Sequence, residues 1–315
     1  MRRTNSEILM DADISLNDMC NFITKPSKVY KYQGFLSIKN DNRENPFWKD
    51  NINGSFHLSL GCEFEDKNDC RPHINIEEVK RRILRFFKNC ESDINKLTEI
   101  AKELDAIIPE DYVETVVDRY QRDILIGCFT QKPNNEYMWK EYADASRGFC
   151  IEYDTLKENL FKDSMLPIEY GNKQDNSSLT MYLNFILEKT REAKRRTMQE
   201  NISIFPEEYA RLMKLTYIPI FLKGERFRRE EEWRMFVLNN RTYETRTINK
   251  ADIVDSNNNI NLKKAITAIY LGENFCKNPN FKIIKSQVDK IVEENNIRLY
   301  QMIREKEGLI YECIN

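Results

Sequence analysis

Two periodicities alternate along this chain. Segments that alternate apolar with polar positions, or are wholly apolar, occur at 29–32, 55–60, 124–129, 149–154, 166–170, 230–238, 265–271, 299–303 and 309–313, and these predict strands. Turn formers bound several of them: Gly34 closes the first, Asn53-Gly54 opens the second, and Gly272 ends the run at 265–271. Elsewhere apolar residues recur at three- and four-residue steps. Ile76, Val79, Ile83 and Phe87, then Ile94, Leu97, Ala101 and Leu104, lead through Pro109 to Tyr112, Val116 and Tyr120. A second helical block occupies about 179–222, a helix is expected at 281–294, and a short helical turn surrounds Trp139. The alternation predicts an α+β fold, a mixed sheet system with helical insertions at 76–122 and 179–222. It also predicts a single domain at 29–315 behind an N-terminal helical extension at 1–28.

The run at 230–238 stands apart because Glu230, Glu231 and Glu232 sit at its start. Alternation would put Glu230, Glu232 and Arg234 on one face, and Glu231, Trp233 and Met235 on the other. An ionised group in an apolar layer is unfavourable unless it is paired or solvated. The run is therefore either an edge strand whose charges face water or a strand that carries its carboxylates into a site. Trp139 and Tyr142, three apart on a helical turn, read either as a core-facing pair or as a ligand platform. Arg147-Gly148 reads as a turn, with Arg147 a candidate partner for the glutamates. Asp154 and Thr155 are placed to cap a following short helix.

Composition narrows the function classes. At 41% hydrophobic content, 315 residues can bury a substantial core, and 49 basic against 51 acidic residues leave no bulk charge to attract nucleic acid or anionic membrane. No apolar run reaches the length of a membrane helix and no signal-peptide core opens the chain, so a cytoplasmic protein is expected. Eight cysteines without a C-x-x-C pair, and two histidines, argue against disulfides and a zinc site. His57 is a candidate base or an ordinary surface residue.

Three stretches resemble the bacterial proteins grouped as domain-of-unknown-function family 2971. Residues 126–154 resemble its strand, its Met-Trp-x-x-Tyr-Ala motif and its Gly-Phe-Cys-Ile strand. Residues 223–234 resemble its Lys-x-x-x-aromatic-x-x-Glu-x-Glu-Trp-Arg, and Tyr30-Lys31-Tyr32 with Leu58-Ser59 and Lys67-Asn68-Asp69 resembles its opening segments. The family's order of motifs is in turn similar to that of ADP-ribosyltransferases. That similarity implies an ADP-ribosyltransferase-like sheet and an enzyme using NAD as substrate, a toxin or phage-defence effector. Glu232 would be the catalytic carboxylate and Glu230 its neighbour, either orienting the acceptor or merely structural, while Lys31, Tyr32, Ser59, Tyr142 and Arg147 would contact NAD. A carboxylate there would stabilise the positive charge that builds on ribose as nicotinamide leaves. Lys31 stands where such enzymes usually offer His or Arg, which keeps a cation but changes its geometry. The acceptor would be nucleic acid or protein, with an antitoxin or defence-operon partner and no membrane.

Two readings from other classes stand beside this one. In a non-catalytic ligand-sensing or protein-binding module, the Trp-x-x-Tyr and Glu-x-Glu-Trp-Arg motifs lock the fold through a buried Glu-Arg and aromatic network. In a magnesium-dependent nuclease, Glu230, Glu232 and Asp69 would hold the ion, although their spacing follows no ordered metal-site pattern. The position of Glu232 separates the first two readings: an open cleft beside Tyr32 and Ser59 fits the enzyme, and a closed pair with Arg147 or Arg234 fits the module.

Overall fold

The computed structural model describes residues 5–11, 14, 16–37, 43–45, 47–66, 69–71, 124–171, 218–238 and 253–314, with single positions at 81, 95, 98, 102, 117, 118, 121 and 122. Helices α1 (Asn5–Met10) and α2 (Leu16–Phe22) precede β1 (Lys28–Gln33), then β2 (Leu36–Ser37), β3 (Arg43–Glu44), α3 (Trp48–Ile52), β4 (Ser55–His57) and β5 (Ser59–Leu60). After them come β6 (Ile124–Thr130), α4 (Glu136–Glu141), β7 (Phe149–Asp154), α5 (Asn159–Ser164), β8 (Met165–Pro167) and β9 (Glu169–Gly171). The rest is β10 (Leu222–Gly224), β11 (Glu232–Leu238), β12 (Asn259–Asn261), β13 (Ile266–Leu271), α6 (Phe281–Asn295), β14 (Arg298–Glu305) and β15 (Gly308–Cys313).

The chain groups into two compact units of interleaved segments. One holds 1–22, 60–124 and 169–225, the other 23–59, 125–168 and 226–315. In the first unit β9 and β10 form a parallel pair. Its polar anchor is Asp69, buried with Lys223 at 3.6 Å and accepting the Cys70 N–H at 2.7 Å, while Gln121 donates to its backbone carbonyl at 3.2 Å.

The second unit is built on a sheet in the order β15-β14-β13-β7-β1-β6-β11-β8, with β5 pairing off this path to β6. The sheet is mixed, because β13 and β14 run parallel while β1 runs antiparallel to both β6 and β7. β7 reads Phe-Cys-Ile-Glu-Tyr-Asp and is buried along five of its six residues, as a strand covered on both faces requires. One face packs Phe129, Tyr153 and Phe161 around Phe56, whose ring stacks on Phe129 at 4.8 Å. The other gathers Tyr30, Tyr32, Cys150, Tyr270, Met302 and Trp139 of α4. Asn135 caps α4 by accepting the Met138 N–H at 3.2 Å.

Most of the predicted strands form, with corrections at their ends. The run at 55–60 divides at Leu58 into β4 and β5, and 166–170 divides at Ile168 into β8 and β9, which fall in different units. Asp154 accepts the Leu156 N–H in a turn and caps no helix, for α5 begins after Glu158 without a side-chain cap. The block at 76–122 lies outside the described residues except at single positions, among which Arg81, Asn95, Thr98, Lys102, Val117, Asp118, Gln121 and Arg122 are helical. Of the block at 179–222 only 218–222 is described, and it is a 3-10 turn, Ile218–Phe221, entering β10.

Candidate functional site

The three consecutive glutamates do not share an alternating strand. Glu230 ends a 3-10 turn, Glu225–Glu230, and Glu231 takes a left-handed backbone with φ of 48°, so β11 starts only at Glu232. A left-handed conformation is costly for a residue with a Cβ and is held here by its surroundings. Thr130 donates to the Glu230 carbonyl at 2.6 Å and Asn135 Nδ2 to the Arg229 carbonyl at 2.7 Å. The kink sends the three carboxylates to three different groups.

Glu230 is buried and accepts the Tyr142 hydroxyl on Oε1 at 2.7 Å. Glu231 pairs with Lys132 at 2.8 Å near the surface, and its Oε2 is enclosed without a hydrogen-bond partner. Glu232 is buried against Arg234, whose Nε and Nη2 donate to its two oxygens at 2.6 and 3.4 Å. Arg234 has no exposed surface at all. A forked, desolvated pair of this kind holds both side chains in one geometry. Neighbouring Cys128 is an inert thiol: burial first, then the Glu232 charge, pushes its pKa up to about 12.

This arrangement corrects the sequence reading at several points. β11 is an interior strand between β6 and β8, so the edge-strand alternative is excluded. Glu232 sits in the closed pair and not in an open cleft. Arg147 reaches none of the glutamates and pairs instead with Asp144 at 2.6 Å. The aromatic pair divides: Trp139 is buried, with Nε1 donating to the Pro133 carbonyl, while Tyr142 is 44% exposed.

The predicted NAD contacts separate in the same way. Tyr32 is buried edge-on against Trp139 at 5.0 Å, donates to the Lys132 carbonyl at 2.6 Å and accepts the Asn135 N–H at 3.2 Å. It therefore joins the Tyr142 and Glu230 cluster through the Lys132 to Asn135 turn. Lys31 lies over the Phe56 ring, 5.5 Å from its centre, and Ser59 is half-buried in β5. Among the described residues no group of three or more His, Cys, Asp or Glu could hold a metal ion. A pocket of about 420 Å³ lies by Asn53, Ser55, Asp255 and Asn261, and none of the predicted site residues lines it. His57, paired to Asn259 at 3.3 Å, is exposed.

Sequence reasoning missed a heavily hydrogen-bonded carboxylate, Glu152 in β7. It accepts Tyr270 at 2.7 Å and Tyr30 at 3.2 Å on Oε2, and Thr267 and Lys28 at 2.7 Å each on Oε1, with Arg298 at 3.9 Å. Burial pushes its carboxyl up, but hydrogen bonds from Lys28, Thr267 and Tyr270 outweigh that and hold it below its ordinary value. Burial and then the Glu152 carboxylate push the Tyr30 and Tyr270 phenols up. The available signal was one Glu in the middle of an otherwise apolar strand, Phe-Cys-Ile-Glu-Tyr.

Residues 138–235 match the model of a family described as a protein of unknown function, DUF2971. The match covers the Trp139-x-x-Tyr142 motif, β7 and the Glu230-x-Glu232-Trp-Arg234 motif, and supports the resemblance to that family. No curated protein and no solved structure matches the chain. Among the described residues no helix is long and apolar enough to cross a membrane.

Proposed function

We propose that this chain is a non-catalytic ligand-sensing or protein-binding module in which the Glu-x-Glu-Trp-Arg and Trp-x-x-Tyr motifs lock the fold. The supporting observation is the closed pair of Glu232 with Arg234, both buried, with the guanidinium spanning both carboxylate oxygens. A carboxylate so occupied has little capacity left to meet a developing cation. Its removal, in contrast, takes the paired negative charge away from a wholly buried guanidinium. The test is Glu232→Gln, followed by thermal melting and by nicotinamide release from NAD with nucleic acid and protein extracts as acceptors. A strongly destabilised variant of a wild type that releases no nicotinamide is the expected result. A stable variant that loses an activity the wild type has would reject the module.

A second reading keeps the NAD-using, ADP-ribosyltransferase-like enzyme, a toxin or defence effector of a bacterial cytoplasm with an antitoxin or operon partner. One observation favours it: Tyr142 is exposed and its hydroxyl meets Glu230, beside a strained Glu231. In this reading Glu230, not Glu232, is the fixed carboxylate and the Tyr142 ring is a wall for nicotinamide. The ribose to nicotinamide bond breaks, nicotinamide leaves with the bonding pair, and the acceptor's nucleophile takes its place. Glu230→Gln should then lower nicotinamide release by about 10² to 10³, and Tyr142→Phe should lower it less. Equal rates in wild type and Glu230→Gln would remove this reading.

A further inference from the structure

The sheet face around Glu152 has an outer part that neither reading uses. The rings of Tyr270 and Tyr300 stack at 4.8 Å with 15° between their planes, and Tyr311 meets both edge-on at 5.1 and 5.3 Å. Tyr270 is buried and Tyr300 half-buried, whereas Tyr311 is 45% exposed. Two cations flank these rings. The Arg298 guanidinium lies 6.0 Å from the Tyr300 ring centre, and Lys28 reaches Glu152 from β1; both side chains are about half exposed.

The charged groups on this face are Lys28 from β1, Glu152 and, opposite Lys28 in the register, Asp154 from β7, and Arg298 from β14. Thr267 and Tyr270 of β13 and Tyr311 of β15 add only neutral groups. Glu312 alternates with Tyr311 and so points to the opposite face of β15. Lys28 stands between two carboxylates, and Glu152 is buried and already holds four close donors, so the half-exposed Arg298 guanidinium is the cation placed to meet an outside group. The outward chemistry is therefore cationic and aromatic. It complements a ligand that carries a flat ring and a negative group a few ångströms apart.

We propose that this face binds a nucleoside monophosphate, its base packed on the exposed Tyr311 ring and its phosphate on Arg298. Stacking takes any base, and a guanidinium forks onto phosphate oxygens in a way that a lone ammonium does not. The proposal is independent of both readings above, since it involves none of Glu230, Glu232 or Tyr142.

The experiment is calorimetric titration of the full chain with adenosine 5′-monophosphate, adenosine and inorganic phosphate. The nucleotide should bind at least about tenfold more tightly than either fragment, because each contact adds to the other. Arg298→Gln should weaken the nucleotide about tenfold and leave adenosine unchanged, and Tyr311→Ala should weaken both. Both side chains are exposed, so melting temperatures should stay near wild type, which separates a lost contact from a lost fold. Absence of nucleotide binding, binding no tighter than phosphate alone, or variants that bind as wild type would each overturn the proposal.

Discussion

Glu152 and Glu232 are both carboxylates on interior strands, yet their environments set opposite expectations. Glu152 is surrounded by hydroxyls and one ammonium, so its charge is spread over four donors. Glu232 has a guanidinium that is itself wholly buried. Substituting Glu232 with Gln should thus cost about 3 to 5 kcal/mol, because it removes the buried negative charge that the Arg234 guanidinium spans, as urea denaturation would measure. The Glu152 network makes a pH prediction. Its folded carboxyl titrates below the ordinary value of 4.5, so its contribution is full above that pH and is lost as pH falls through the folded value. Tyr30 and Tyr270 act at the other end. Their folded phenols titrate above the ordinary value of 10, so their contribution is full below pH 10 and is lost as pH rises from there toward the folded values. Urea midpoints measured across pH should fall on both flanks, and Glu152→Gln should flatten the acid flank.

Among the elements, the turn between α4 and β7 is the tightest. Asp144, Ala145 and Ser146 all have positive φ, from 50° to 65°, and Arg147 closes the turn by donating to the Asp144 carbonyl and carboxylate. The turn fits because a glycine stands just before β7 and another just after β13. A Cβ at Gly148 would collide with the backbone oxygen of Gln33, and one at Gly272 with that of Ser146. Backbone atoms of paired strands cannot step aside, so Gly148→Ala should destabilise by about 1 to 3 kcal/mol or more. Gly171, with nothing within 4 Å of such a Cβ, is the control and should tolerate alanine. Melting curves of the two variants compare them directly. A similar local cause moved the start of β11. The three glutamates read as part of a strand, but the left-handed Glu231 separates Glu230 from it, and nothing in Glu-Glu-Glu-Trp announces that conformation.

For the whole molecule, the backbone passes between the two units at 22/23, 59/60, 124/125, 168/169 and 225/226. Chains crossing so often give neither unit a continuous segment in which to fold alone. A single calorimetric transition is therefore expected, shifted down both by Lys223→Met, which removes the buried cation beside Asp69 in the first unit, and by Glu232→Gln in the second. Two transitions, each moved by one substitution only, would show that the units melt separately. By itself the sequence marked most strands of the main sheet, the short helix at Trp139 and the helix after Asn280, since these follow from local alternation and side-chain spacing, while the short strands β2, β3, β10 and β12 carried no such pattern. It also marked the charged start of β11 and the motifs carried by 138–235. Tertiary structure alone decided which strand lies beside which, that β11 is interior, and that Glu232 faces Arg234 while Arg147 faces Asp144. The reason is physical: periodicity reports which face of an element avoids water, whereas the partner of a buried charge is chosen by strands distant in sequence. Glu152 shows this most clearly, for its donors come from β1, the start of β13 and β14, and none of them is its neighbour in the chain.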